Sequence, residues 1–379
     1  MKIRDVKAYA VAGPWVDLCF VKVETDEPGL YGWGEASLPG RSAAVAQAVR
    51  DLAPLVIGLD PRATERVWQR MYRHTYWRGG PILTSSLSGI DVALWDIRGK
   101  AAGEPVYRLL GGPVRDKIAL YANIGDSSDP AELRERAARA AAMGYGSVKF
   151  YPLIENGGTD RADAVAVVVR CCEALRAELG EQRSFCVDFH GRLSVGLAVQ
   201  IEAAVRHTRP LWIEEPIAAE NTGAYRRLAD KFQTPLALGE RLFTRWGFRE
   251  VFEQQYANVI QPDVSNAGGI SEMMRLASMA ELYGVAFAPH NPNGPLQCVA
   301  NLHLAAAAPA FTVLEHLYDS VQAMAELATV SPAARPDGYA DLPTGPGLGI
   351  DLDETLLAAR PSTPFVWDLY HADGGVQDW

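Results

Sequence analysis

Three acidic residues stand 26 apart in this chain, each closing a short apolar run. They are Asp188 in Val187-Asp-Phe-His-Gly-Arg192, Glu214 in Trp212-Ile-Glu-Glu-Pro216 and Glu240 in Leu238-Gly-Glu-Arg241. One strand plus one return helix takes roughly 25 residues, within the size of a βαβ unit. Equal spacing therefore puts the three carboxylates at the same end of three successive parallel strands. In a barrel of such units that end is where active sites form. Three converging carboxylates repel one another unless a cation sits between them, and hard oxygen ligands suit Mg²⁺. The first expectation is a divalent metal at the mouth of a β/α barrel.

Length and charge narrow the remaining choices. The 379 residues suit one barrel with an attachment, and 48% hydrophobic residues supply a large core. The formal net charge is −10, and no basic block interrupts the chain. That argues against nucleic acid and against anionic membranes as partners. Small anionic substrates stay open, because a site metal reverses the local field. The five cysteines (Cys19, Cys171, Cys172, Cys186 and Cys298) are odd in number and form no C-x-x-C pair. They read as reduced, buried thiols of a cytoplasmic protein. The first ten residues alternate like a strand and do not resemble a signal peptide. No apolar run approaches the roughly 20 residues needed to span a bilayer.

Residues 1–35 read as a β meander, and 42–115 as helical. The strongest helical stretch is 85–110, with Leu87, Ile90, Ala93, Leu94 and Ile97 on one face, and Gly111-Gly112-Pro113 is the expected stop. From Lys117 the texture alternates. Strands are expected at 118–122, 147–151, 185–188, 211–214, 236–239, 258–261, 285–289 and 312–315. Eight such strands with intervening helices make a (β/α)8-type barrel. The expected organisation is an α+β capping domain at 1–115, the barrel at 116–330, and a Pro- and Gly-rich segment at 331–379 that returns to the cap.

The strand ends carry Lys149 and Tyr151, Asp188 and His190, Glu214, Glu240, Asp263, His290 and Glu315. From Glu240 on, the steps are again about one barrel unit each. A purely structural barrel has no reason to send a titratable group to one face from the second strand through the eighth. A single such Asp would usually cap a helix. His74, His207, His303, His316 and His371 read as ordinary loop or core histidines, and Asp91 and Asp96 as structural acids within a helix.

Several motifs along almost the whole length resemble the enolase superfamily, mandelate racemase subgroup. They are Arg78-Gly-Gly-Pro-Ile-Leu83, Ser88-Gly-Ile-Asp-Val-Ala-Leu-Trp-Asp-Ile-Arg-Gly-Lys100, Asp188-Phe-His-Gly-Arg192, Ile213-Glu-Glu-Pro216, Gly239-Glu-Arg241, Gln261-Pro-Asp263 with Ala267-Gly-Gly-Ile270, Ala288-Pro-His290 with Gly294-Pro295, and Pro346-Gly-Leu-Gly349. The resemblance implies that Asp188, Glu214 and Glu240 ligate Mg²⁺. Spacing alone does not choose between Glu214 and Glu215. It further implies that the enzyme dehydrates a sugar acid, galactonate first, to a 2-keto-3-deoxy acid. His290 would be the base at C2, oriented by Asp263, the pattern of enolase-superfamily sites. His190 would be the acid that protonates the departing 3-hydroxyl. Glu315 would donate a hydrogen bond to the substrate carboxylate, which requires it to be protonated. Trp15, Arg41, His74 and Trp77 lie in cap loops that would read the distal end of the substrate, beside Lys149 and Tyr151. A homo-oligomer, often an octamer, is implied as well.

Lys149-Phe-Tyr151 departs from the pattern. Racemases of the subgroup carry lysines at both outer positions, the second serving as a base. The galactonate-dehydrating pattern that the chain resembles has asparagine there. A phenol with an ordinary pKa of about 10 is a poor base at neutral pH. One-sided proton chemistry suits dehydration. The alternatives are a racemase or epimerase of a 2-hydroxy acid, or a metabolite-binding protein with little catalysis.

Overall fold

The computed structural model describes all residues except 154–161, 318, 320–322, 331, 364–373 and 377–379. The chain opens with an antiparallel three-stranded sheet of β1 (Ile3–Ala12), β2 (Asp17–Thr25) and β3 (Tyr31–Glu35). Helices α1 (Ser42–Val56), α2 (Thr64–Arg73), α3 (Pro81–Ala102) and α4 (Val106–Leu109) follow. One face of the sheet packs on α1 and α3; β1 is partly exposed along its length, whereas β2 and β3 are buried over most of theirs. Helix α3 is buried nearly all round, as expected of a helix wedged between two layers. Its close approach to β3 depends on missing side chains: a Cβ on Gly34 would lie 2.0 Å from the Gly89 carbonyl oxygen.

The expected stop at Gly111-Gly112-Pro113 is corrected by the structure. Helix α3 ends earlier, at Gly103, whose left-handed φ of 71° closes the last turn. The four-residue α4 then forms a separate turn before the barrel begins. Periodicity did not separate the two, because Val106 and Tyr107 are also buried.

Eight parallel strands form the second layer system: β4 (Lys117–Asp126), β5 (Ser147–Tyr151), β6 (Ser184–Asp188), β7 (Ile213–Glu214), β8 (Leu236–Leu238), β9 (Val259–Ile260), β10 (Ala286–Phe287) and β11 (Leu314–His316). They run in chain order around the sheet, and β11 returns to pair with β4. Phe287 bridges Phe311 in parallel, just before β11, so the ring closes. Helices α5 (Pro130–Ala142), α6 (Ala162–Leu179), α7 (Val195–Val205), α8 (Thr222–Ala229), α9 (Thr244–Gln254), α10 (Gly269–Tyr283) and α11 (Pro295–Ala307) connect them. Asp129 caps α5 by accepting from the Ala131 N–H, with Pro130 at the first helical position. This is a (β/α)8-type barrel carrying an N-terminal α+β cap.

The described part of the last segment touches both barrel and cap. Strand β12 (Tyr339–Asp341) pairs antiparallel with β4. Asp351 accepts hydrogen bonds from Tyr31 and from the Trp33 indole. Glu354, at the start of α12 (Glu354–Ala358), takes Lys7 and Lys22. All five cysteines are buried and free. No described helix is long and apolar enough to cross a membrane.

Candidate active site

Pairing in register delivers the polar side chains to one rim. Asn123 lies beside Lys149, Asp188 beside Glu214, and Asp263 beside His290. Parallel neighbours at equal height project together, so one end of the barrel collects the charged groups while the rest of each strand stays apolar.

One carboxylate oxygen each from Asp188, Glu214 and Glu240 lies within 4.8 Å of the others. Among the described residues this is the one group able to hold a metal ion. Glu214 and Glu215 point to different places. Glu215 is turned away, accepting from the Gly239 N–H and the Tyr225 hydroxyl. Glu214 faces the cluster, with its Oε2 taking the Trp212 indole at 3.0 Å. The donor set fits a hard divalent cation, and a second observation agrees. Asp188 Oδ2 and Glu240 Oε2 are buried and meet only ion-pair contacts, from Lys149 Nζ at 3.3 Å and His190 Nε2 at 3.2 Å on Asp188 and from His290 Nε2 at 3.4 Å on Glu240. Burial together with the neighbouring Asp188 charge pushes Glu214 up to about 8. Three acids this close, with Asp188 and Glu214 buried and Glu240 partly so, repel one another strongly unless positive charge lies between them.

Part of that charge comes from Lys149. Its buried ammonium lies 2.7 Å from Glu214, 2.9 Å from Glu315 and 3.3 Å from Asp188. Burial alone would depress its pKa, but Glu214 and Glu315 hold it well above the usual lysine range. Glu315, expected to be a protonated donor, is surrounded by donors. All of its partners are donors: Lys149, the Asn123 amide at 2.8 Å and the Asn291 N–H at 3.0 Å. Burial would raise the Glu315 carboxyl, yet Lys149 and His290 outweigh it and hold it below the ordinary value.

On the opposite side of the cluster, His290 Nδ1 meets Asp263 Oδ2 at 2.9 Å, and His290 Nε2 lies 3.4 Å from Glu240. The Asp263 contact places the Nδ1 proton on the Asp263 side and leaves Nε2 facing the metal-ligand cluster. Burial would lower the imidazole, but Glu240, then Asp263 and Glu315, push it up to about 10. His190 follows β6 with a left-handed φ of 49°, and Glu215 after β7 has φ 37°. Its backbone N–H donates to Asp188 Oδ1 at 3.0 Å and its Nε2 lies 3.2 Å from Asp188 Oδ2. Such backbone strain beside a polar cluster is where functional positions concentrate.

Tyr151 covers His190, with ring centroids 4.6 Å apart, and donates its hydroxyl to Asn123 Oδ1 at 2.6 Å. Burial pushes the phenol far above its ordinary range. Asn123 was absent from the sequence reading, although it precedes Lys149 by the same 26 residues that separate the three acids. Trp15 and Arg41 are exposed, and among the described residues neither hydrogen-bonds a barrel-mouth side chain. Arg41 bonds the neighbouring Gly40 carbonyl.

The remaining histidines serve elsewhere. His303 bridges Tyr107 N–H and the Leu348 carbonyl, and burial lowers it to about 4. His316 sits against Tyr145 and Pro332 and is likewise lowered to about 4. His207 pairs with Glu173 on the surface. His74 caps the exposed end of α2. His371 lies outside the described residues.

Comparison with known proteins adds an independent line. Residues 15–111 match the mandelate racemase / muconate lactonizing enzyme N-terminal domain, and residues 132–356 match the enolase C-terminal domain-like family. A D-galactonate dehydratase of Ralstonia nicotianae is 40% identical over 387 residues, covering all of both chains. A D-galactonate dehydratase of Pectobacterium atrosepticum is 38% identical, again over both full lengths. The crystal structure of an enolase from Pantoea ananatis with bound D-gluconate and Mg superposes with a TM-score of 0.90. It is 32% identical and covers 99% of each chain.

Proposed function

The chain belongs to the mandelate racemase / muconate lactonizing enzyme family, within the enolase superfamily, and we propose that it is a Mg²⁺-dependent sugar-acid dehydratase with galactonate as its first substrate and gluconate next. The observation that carries this reading is the pairing of two features on one rim. One is the carboxylate triad, whose oxygens converge within 4.8 Å of one another, and the other is the His290–Asp263 dyad beside it. The full-length likeness to D-galactonate dehydratases supports the reaction class.

Asp188, Glu214 and Glu240 would hold the ion. When bound, Mg²⁺ supplies positive charge beside the substrate carboxylate, which makes loss of the C2 proton tolerable, and it cancels the Glu240 pull on His290. The remaining work belongs to the chain. His290 Nε2 takes the C2 proton while Asp263 holds the ring in the required tautomer. His190, fixed by its Asp188 contacts under the Tyr151 ring, gives a proton to the departing 3-hydroxyl. Lys149 neutralises the excess acid on the inner side of the triad. Glu315 accepts from Lys149, the Asn123 amide and the Asn291 N–H and so ties β5, β4 and the loop after His290 together. Tyr151 is raised too far to act as a second base, so the chemistry is one-sided. The distal end of the substrate is read by the cap loops that carry Trp15 and Arg41. A cytoplasmic homo-oligomer completes the reading.

The test is turnover. The Mg²⁺-loaded protein is incubated with aldonic and aldaric acids, and 2-keto-3-deoxy products are trapped with semicarbazide. Conversion of one acid, abolished by a chelator, is the expected result. Recovery of substrate that has gained solvent deuterium at C2 without dehydration would favour the racemase. Tight binding without any turnover would favour a binding protein.

A further inference from the structure

Glu35, at the end of β3 in the cap, is buried to 1% exposure and sits against the first turn of barrel helix α11. Its Oε1 accepts from the Gly294 N–H at 2.7 Å and its Oε2 from the Gln297 N–H at 2.9 Å. The Ser37 hydroxyl donates the third bond, at 2.8 Å. Among the described residues no cationic side chain pairs with it. The helix N-terminus is therefore its compensation, since the first N–H groups of a helix lack partners within it and carry partial positive charge. Gly294 is needed for this fit. A Cβ there would lie 2.8 Å from both Glu35 oxygens.

Helix α11 in turn supports the dyad. The Gln297 side chain is fully buried and held by the Asn293 N–H on its Oε1 at 2.8 Å. Its Nε2 donates to Asp263 Oδ2 at 2.7 Å, the same oxygen that meets His290 Nδ1. One turn on, Asn301 donates to the His290 carbonyl at 3.3 Å. Both dyad residues thus rest on one helix, and the cap holds the start of that helix.

We propose that Glu35 and Gln297 are positioning residues for proton abstraction, forming a continuous path from the cap through helix α11 to Asp263 and His290. The path rests on the proposed function, in which His290 is the base. Glu35 sets where the first turn of α11 lies, and Gln297 converts that position into the orientation of the Asp263 carboxylate. A docked cap is then a condition for a correctly aimed base, even though Glu35 touches neither substrate nor dyad. Hydrogen bonds to a charged acceptor are the stronger kind, which suits a contact that must locate a helix.

The test uses Glu35→Gln, Gln297→Leu and the double variant in the Mg²⁺-loaded enzyme, with rates normalised to the folded fraction by circular dichroism. Supporting residues around a polar site typically account for about 10–100-fold when removed. Each single variant is expected to lower kcat within that range, with KM held within about threefold. The double variant is expected to be no slower than the slower single, because both act through one path. Multiplying losses, or a rise in KM at constant kcat, would overturn the proposal. A crystal structure of Gln297→Leu reads the geometry without activity. The Asp263 carboxylate should swing away from His290 Nδ1, and an unchanged 2.9 Å contact would refute the positioning role. If the wild type dehydrates no sugar acid, the functional reading falls, and the crystal structure alone decides the positioning claim.

Discussion

Two sets of buried carboxylates in this molecule look alike by burial and differ in their partners. At the seam between cap and barrel stand Glu35, Asp91 and Asp96. Asp91 accepts from the Ser271 N–H at 2.9 Å and its hydroxyl at 2.7 Å. Asp96 accepts from the Trp33 and Leu348 N–H groups and from Lys100. At the barrel mouth stand Asp188, Glu214 and Glu240, where the buried Asp188 Oδ2 and Glu240 Oε2 face only Lys149 and the two site histidines and no backbone N–H. A buried acid whose oxygens are all bonded is a joint in the structure. A cluster of acids whose oxygens converge on one another, with no backbone N–H on the converging atoms of Asp188 and Glu240, suits a bound cation. Burial or a raised pKa alone does not separate the two sets, since burial pushes both Asp91 and Glu35 up to about 7.

The sharpest way to break this contrast is to remove one ligand from each set. Asp188→Asn or Glu240→Gln should lower turnover by about 10³-fold or more, the scale of several kcal/mol of charge stabilisation. Steady-state kinetics with excess Mg²⁺ checks this, while thermal unfolding of the metal-free protein should show little loss. His290→Asn should lower kcat by about 10²–10⁴-fold, the range for a general base. Its Mg²⁺ affinity should stay near wild type, and full turnover in this variant would mean that another group is the base.

At the seam the effect should be on stability instead. Asp91→Ala strands the Ser271 donors and should cost about 1–3 kcal/mol in denaturant unfolding, with kcat per folded enzyme nearly unchanged. The pH dependence sharpens the point. The folded pKa of Asp91 is raised, so between about pH 4 and 7 the folded state keeps a proton that the unfolded state has released. Its contribution to stability is therefore fully present at low pH and falls as pH rises through that window, by roughly 1 kcal/mol per unit. Asp91→Asn, which cannot titrate, should lack this slope. A wild type and an Asn variant with parallel pH profiles would show that Asp91 is ionised in the fold. The smallest effect belongs to Tyr151→Phe, which removes only the hydroxyl bond to Asn123 and should change kcat by about tenfold or less.

Much of this was legible in the sequence because barrels repeat. The step of one strand and one helix placed Asp188, Glu214, Glu240, Asp263, His290 and Glu315 on one face before any coordinates. The same step reached Asn123, but a neutral amide on the first strand drew no attention among charged residues. The surroundings of Glu315 were not readable, since Lys149 and the Asn291 N–H are brought near it only by closure of the ring. Nor was the part played by Glu35, whose partners lie 259 and 262 residues later. Contacts between layers carry no period, so the pattern of the chain does not announce them. The end of α3 was misplaced because α4 continues the buried face after Gly103.

The most direct measurement is calorimetric titration of Mg²⁺ into three proteins: wild type, Asp188→Asn and Asp91→Asn. One ion per chain should bind to the wild type and to Asp91→Asn with similar affinity, and binding should be lost or weakened by about 100-fold or more in Asp188→Asn. Equal Mg²⁺ binding by Asp188→Asn and wild type would contradict the assignment of the carboxylate triad as the metal centre.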